Sequence, residues 1–159
     1  MQQKYYMHVF SYNPFTHSHE GITTYKNNDI NKLILAILEE IRHNRILIEG
    51  YDGLNSVVNE MSDQFEESNI SPQDDQDGEY SFFGVCNSIE NNIKGLLKSD
   101  ILDSKKFIVL REQLEIYLSI VDYVPLADDV CILQIEIFDN SRDFAKYLVC
   151  PRLLCQNES

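Results

Sequence analysis

The sequence predicts an α+β fold, a small mixed β-sheet of about three to five strands packed against about four or five helices. Three segments support this prediction. Residues 4–12 are aromatic and β-branched, residues 30–41 carry an apolar stripe of helical period, and residues 130–138 are almost continuously apolar. The chain has 159 residues, of which 43% are hydrophobic. That length suits one globular domain spanning residues 1–159, with enough apolar surface for a core.

The first elements follow from local propensity. Residues 4–12 are typical of a strand, and the polar stretch 13–28 is expected to be a loop. Asp29 is a suitable N-cap for the clearest helix. Residues 45–49, with the sequence RILIE, are expected to form a short strand. The apolar stripe of the helix comprises Ile30, Leu33, Ile34, Ile37, Leu38 and Ile41.

The middle of the chain predicts a second amphipathic helix and then an acidic loop near residues 68–79. The turn-forming pairs Ser71-Pro72 and Asp77-Gly78 indicate the loop. Tyr80–Cys86 is expected to be a buried strand, and Asn87 with Glu90 resembles the capping box of a short helix. The apolar face of the second helix would comprise Leu54, Val57, Val58, Met61 and Phe65.

The last third contains one ambiguous segment. In residues 103–124 the polar side chains form one helical stripe, although residues 114–120 also alternate at the strand period. We favour a helix, because the stripe persists for three turns; the stripe comprises Arg111, Glu112, Glu115, Ser119 and Asp122. Residues 130–138 predict a central strand covered on both faces. A final helix from about Asn140 should stop by Pro151, and the tail after residue 152 should fray.

Composition argues against several classes of function. The net charge of −13 repels nucleic acid and anionic membranes, so neither is an expected partner. The sequence has no apolar stretch of membrane-spanning length and no apolar signal segment near Met1, so a cytoplasmic location is expected. The cysteines form no CxxC pair, and we interpret Cys86, Cys131 and Cys150 as reduced core residues, with Cys155 nearer the surface.

Motifs for catalysis or cofactor binding are missing from the sequence. It has no GxSxG elbow, P-loop or dinucleotide-binding glycine pattern, so we expect neither an enzyme nor a cofactor. His17 and His19, with Glu20, are the one metal-like group. No second spaced pair completes a zinc site, so no metal is expected. The acids around Gly78 do not fit a calcium loop, because Gln73 and Gly84 occupy ligand positions.

The distribution of charge is the unusual feature. Residues 46–93, here called the acidic segment, contain 11 acidic residues and no lysine or arginine. The rest of the chain carries 15 acidic and 13 basic residues, which nearly balance. Concentrated like charge costs stability through self-repulsion, and solubility alone does not require it. The segment therefore indicates either a solvated acidic surface or a docking surface for a basic partner.

The functional hypothesis is an acidic inhibitor that binds a basic protein, such as an immunity protein that blocks a nucleic-acid-acting toxin. Proteins that act on nucleic acid need cationic clefts, which an acidic protein can cover. Tyr51, Phe65 or Tyr80 would supply aromatic anchors. One alternative is a nucleic-acid mimic that inhibits a defence nuclease, and another is an enzyme or ligand-binding domain using His17 and His19. The predicted partner-binding residues are Glu60, Asp63, Glu66, Glu67, Asp74, Asp75, Asp77 and Glu79.

Overall fold

The computed structural model describes residues 5–13, 18–71, 79–122 and 132–139. The chain divides into two compact units, one formed by residues 1–33 with 126–159 and the other by residues 34–125. The α+β class is confirmed, because the first unit contains a three-stranded sheet and the second is helical. That all 159 residues form a single domain stays a prediction. None of the helices in the described ranges is long and apolar enough to cross a membrane.

The sheet consists of β1 (Tyr5–Asn13), β2 (Ser18–Asn27) and β3 (Ile132–Asp139), in the order β2-β1-β3. Both pairings are antiparallel, and Tyr5 lies opposite Asn27 on one side and Asp139 on the other. The register with β2 shifts between Val9 and Ser11. The prediction of a loop over residues 13–28 was therefore wrong for β2, where pairing with β1 outweighs the polar composition.

The central strand among those described is β1, not the strand expected at residues 130–138. Four consecutive residues of β1 are buried, so both faces of its first half are shielded from water: Tyr5, Tyr6, Met7 and His8. On β3, Ile135, Ile137 and Phe138 are also buried, although β3 pairs with one described strand. An apolar run indicates burial on both faces, but burial does not require two neighbouring strands.

Helix α1 (Ile30–Ile48) begins as the sequence predicts. The Asp29 carboxylate accepts a hydrogen bond from the backbone N–H of Asn31 at 2.9 Å, and all six residues of the apolar stripe are buried. The strand expected at residues 45–49 was wrong, because the helix continues through it. Asn44 and Ile48 extend the buried stripe at helical spacing. Because Asn44 is polar, the apolar pattern in the sequence stops at Ile41.

Helix α2 (Leu54–Glu60) is shorter than expected. It begins after Gly53, whose φ of 89° suits glycine, and two 3-10 turns follow it, Ser62–Gln64 and Glu66–Ser68. The second 3-10 turn is followed by Asn69, which adopts a left-handed backbone conformation with φ of 59°. The apolar side chains still share one buried side, with Val57 half-buried and the others buried: Leu54, Val58, Met61 and Phe65.

Helix α3 (Phe82–Leu97) replaces the strand expected at Tyr80–Cys86. Its N-cap is Ser81, whose hydroxyl accepts a hydrogen bond from the Gly84 N–H at 3.0 Å, so the capping box expected at Asn87 was also wrong. The aromatic and β-branched residues favoured a strand locally. Their buried positions nevertheless follow the helical period: Phe82, Val85, Cys86, Ile89, Ile93 and Leu96.

Helix α4 (Asp103–Val121) confirms the helical interpretation of residues 103–124 as far as Val121, and residues 123 and 124 lie outside the described residues. The predicted polar stripe lies outward, with Ser119 half-buried and its other members exposed. The core of the helical unit includes Phe65, Ile89, Leu110, Leu114 and Tyr117. The final helix, the frayed tail and most of the 68–79 loop lie outside the described residues, as do Cys131, Cys150 and Cys155.

Candidate functional site

Four of the predicted partner-binding residues lie together on the surface of the helical unit. Glu60 ends α2, Asp63 belongs to the first 3-10 turn, and Glu66 and Glu67 belong to the second. All four side chains are exposed. The segment 60–67, here called the acidic turn, therefore presents four carboxylates within eight residues. Within the described ranges, none of these carboxylates forms an ion pair.

The inner side of the acidic turn is apolar. Met61 and Phe65 are buried, and the Phe65 ring contacts Tyr80 edge-on, with 4.9 Å between centroids. Phe65 is therefore part of the apolar face, as the helical pattern predicts, and of the three suggested aromatic anchors it is the one that is fully buried. Tyr51 and Tyr80 are half-buried. The alternation of buried apolar and exposed acidic residues forces the carboxylates outward.

Side chains from α3 and α4 pin the backbone that follows the acidic turn. The Ser68 carbonyl accepts a hydrogen bond from Gln113 Nε2 at 2.8 Å, and Gln113 is buried. The Asn69 carbonyl accepts one from Asn92 Nδ2 at 3.0 Å. The Ser68 hydroxyl donates to the Glu112 carboxylate. These bonds hold the backbone at the C-terminal end of the acidic turn against α3 and α4.

Glu79 is held beside α2 by an amide clamp. Asn59 accepts a hydrogen bond from the Tyr80 N–H at 2.9 Å and donates to the Tyr80 carbonyl at 2.8 Å. Asn59 is the residue before Glu60, and Glu79 is exposed, so a fifth carboxylate joins the same region. The predicted partner-binding residues Asp74, Asp75 and Asp77 lie outside the described residues.

Glu90 is the one buried acid among the described residues of the acidic segment. Its carboxylate accepts from Arg42 Nε at 2.7 Å and from Arg45 Nη1. Arg45 also donates to the Asn87 side-chain carbonyl at 3.0 Å. Glu90 is thus a structural group whose charge is compensated by two guanidinium groups of α1. The other described acids of the segment are all exposed.

The thiol of Cys86 and the phenol of Tyr117 lie in the interior near this ion pair. Burial raises the pKa of Cys86 to about 12, with a smaller opposing effect of the Arg45 charge. Burial also raises the pKa of Tyr117 far above its ordinary value, and its hydroxyl donates to the Asn44 side-chain carbonyl. At neutral pH both groups are protonated, and a protonated, buried thiol is a poor nucleophile.

A groove that the sequence did not reveal lies beside Phe83, between the end of α1, the start of α2 and α3. Phe83 was expected inside a buried strand, but on α3 it lies off the apolar stripe and its side chain is 67% exposed. A depression of about 580 Å³ separates Phe83 from the start of α2, and another of about 570 Å³ separates it from Ile46 and Lys94. The helical spacing of Phe82, Val85 and Cys86 was the signal for this exposure.

The histidine cluster is not built as the sequence suggested. His19 belongs to β2 rather than to a loop, and His17 lies outside the described residues. In the ranges that the structure covers, no group of three or more histidine, cysteine, aspartate or glutamate residues is arranged to hold a metal ion.

Comparison with known proteins adds no relative to this picture. No family model matches the chain, and neither a curated protein nor a solved structure matches it.

Proposed function

We propose that this protein binds a basic protein partner through the acidic turn. One observation carries the proposal: Glu60, Asp63, Glu66 and Glu67 are exposed within eight residues and form no ion pair with any described residue. Like charges at this density repel one another, each pair costing a few tenths of a kcal/mol. A basic partner relieves that repulsion, and the negative potential accelerates its approach.

The finer proposal is that binding inhibits a partner that acts on nucleic acid, as an immunity protein inhibits a toxin. Such a partner needs a cationic cleft for phosphates, and a fixed group of carboxylates competes for that cleft. A nucleic-acid mimic directed at a defence nuclease is the second form of the same proposal. An acidic turn of eight residues supports the first form better, because a mimic needs carboxylates spaced along an extended surface.

The test compares two charge-reversed variants with equal changes in net charge. One carries Glu60→Lys, Asp63→Lys and Glu67→Lys in the acidic turn. The matched control carries Glu39→Lys, Asp100→Lys and Glu115→Lys, three exposed acids outside it. Each protein is used as bait in lysate of the native host, and captured proteins are quantified by mass spectrometry.

We expect the wild type and the control variant to capture the same basic protein, and the acidic-turn variant to lose it. Capture should also weaken as salt is raised from about 50 to 500 mM, because screening shortens the range of the potential. Equal capture by all three proteins would refute the proposal. The finer statement requires, in addition, that the captured protein acts on nucleic acid and loses activity in proportion to complex formed.

A further inference from the structure

The groove beside Phe83 has an aromatic wall that is largely open to solvent. Arg45 lies against the Phe83 ring, with its guanidinium carbon 5.3 Å from the ring centroid. Because 67% of Phe83 remains exposed, the ring has further surface for a second group. The contact with Arg45 shows that a guanidinium lies over this ring at cation–π distance.

The free charge in the groove is negative. Among the described residues that line the depression between Phe83 and α2, Arg45 is the one basic residue, and it shares the Glu90 carboxylate with Arg42. Glu49 and Asp52 line the same depression, are exposed, and form no ion pair with any described residue. The groove therefore combines an aromatic surface with two uncompensated carboxylates.

We infer that this groove binds an arginine side chain. A guanidinium is planar, stacks on aromatic rings and pairs with carboxylates, so it matches both features of the groove. A lysine ammonium pairs with the carboxylates but stacks less well, and a neutral apolar side chain leaves them unpaired. The depression of about 580 Å³ has room for such a side chain.

The arginine side chain would belong to the basic partner, and in this respect the inference rests on the proposed function. The acidic turn supplies long-range attraction, whereas the groove supplies a specific anchor. Aromatic and arginine contacts of this kind commonly dominate the binding free energy of an interface, while charges at its rim mainly raise the association rate.

The test is a titration of the ¹⁵N-labelled protein with three small probes at constant ionic strength. The probes are N-acetyl-arginine amide, N-acetyl-lysine amide and N-acetyl-citrulline amide, each raised to on the order of 50 mM. Citrulline preserves the shape of arginine without its charge. We expect saturable shifts of the Tyr51, Asn55 and Phe83 amides with arginine, weaker binding of lysine by about threefold, and no saturation with citrulline.

Two variants check the contacts. Phe83→Ala should weaken arginine binding by about threefold or more, as should Glu49→Gln with Asp52→Gln, while Ile108→Ala on α4 should leave it unchanged. The four altered positions are exposed, and circular dichroism verifies that the variants fold. Absence of saturation with arginine, equal binding of citrulline, or indifference to both groove variants would overturn the inference.

The acidic-turn variant separates this inference from the proposed function. It should bind the arginine probe as the wild type does, because its substitutions lie outside the groove. If the probe fails while that variant still loses the basic partner, the arginine site is wrong and the proposed function stands. If the probe binds but the acidic-turn variant retains the partner, the groove is a guanidinium site and the proposed function is wrong.

Discussion

Arg45 of α1 and Glu90 of α3 form an ion pair in which each side chain is 11% exposed. Arg42 approaches the same carboxylate from a position that is 48% exposed. Two charges taken out of water are stable only while each has its partner, because the desolvation cost remains when one is removed. This pair joins two helices whose contact the sequence did not predict.

Replacing Glu90 with glutamine should therefore destabilise the protein strongly. We expect the free energy of unfolding to fall by about 3 kcal/mol, because the Arg45 guanidinium stays buried without a countercharge. The matched change Arg42→Gln should cost less than about 1 kcal/mol, since Arg42 is half-exposed and water replaces the lost partner. Urea unfolding of the three proteins measures both effects. A similar loss in the two variants would mean that the burial of Arg45 is unimportant.

The same pair explains a limit of sequence analysis. The stripe of α1 was predicted up to Ile41, and beyond it the sequence places polar Asn44 and charged Arg45 on the buried side. Their partners, Tyr117 and Glu90, are 73 and 45 residues away, so the burial of these polar groups depends on contacts that local spacing does not contain. The segment therefore seemed to be a strand.

The α+β class, the start of α1 and the polar stripe of α4 follow from the sequence, because each reflects local periodicity. The four clustered acids were likewise predictable from their spacing. The pinning of the acidic turn by Asn92 and Gln113 was not, because it depends on long-range hydrogen bonds. The exposure of Phe83 was not predicted, although the signal for it is local. Residues 80–86 have strong strand propensity, which obscured a helical apolar stripe that does not include Phe83.

The buried thiol of Cys86 should make stability fall at alkaline pH. Its pKa is raised from 9.0 to about 12 on folding, so above pH 9 the unfolded chain releases this proton while the folded protein retains it. The contribution of this thiol to the free energy of unfolding is fully present below pH 9 and is lost as the pH rises towards 12. By pH 10 the loss from this group is about 1.4 kcal/mol.

The check compares urea unfolding at pH 7.5 and pH 10 for the wild type and Cys86→Ala. The variant should be less stable at pH 7.5, because it leaves a small cavity, but its stability should fall less between the two values. Tyr117 is present in both proteins, so its own contribution cancels in the comparison. An equal decline in the two proteins would show that the thiol is not the titrating group.

Gly95 in α3 offers a stabilising substitution. A Cβ at this position would meet nothing within 4 Å, and the residue is exposed in a helix. Gly95→Ala should therefore raise the free energy of unfolding by about 1 kcal/mol, because alanine restricts the unfolded chain and favours the helix. Thermal unfolding with two-state analysis provides the measurement.

Gly53→Ala is the matched control for that substitution. Its surroundings are equally open, but its φ of +89° is unfavourable for a residue with a Cβ. Alanine should lower stability there by about 1 kcal/mol. If both substitutions shifted stability in the same direction, backbone conformation at Gly53 would not be the deciding factor.

The fixed geometry of the acidic turn should depend on Gln113 more than on any surface group. Leucine at this position keeps the buried volume but removes the shorter of two hydrogen bonds to the Ser68 carbonyl, leaving the one from Asn92 Nδ2 at 3.4 Å. The loss of such a hydrogen bond costs about 1 kcal/mol. Gln113→Leu should therefore accelerate amide hydrogen exchange of Asn69 and Ile70, whose N–H groups bond to the Glu66 and Phe65 carbonyls. A loss of about 1 kcal/mol corresponds to an acceleration of about fivefold.

Asn59→Ala distinguishes this local effect from a general loss of stability. It removes the clamp on Tyr80 and should accelerate exchange at the Tyr80 amide while leaving Asn69 and Ile70 close to their wild-type rates. If Gln113→Leu left exchange at Asn69 and Ile70 unchanged, packing of Phe65 would hold the turn by itself. Because a looser turn spreads its carboxylates over many arrangements, Gln113→Leu should also weaken capture of the basic partner without altering a single charge.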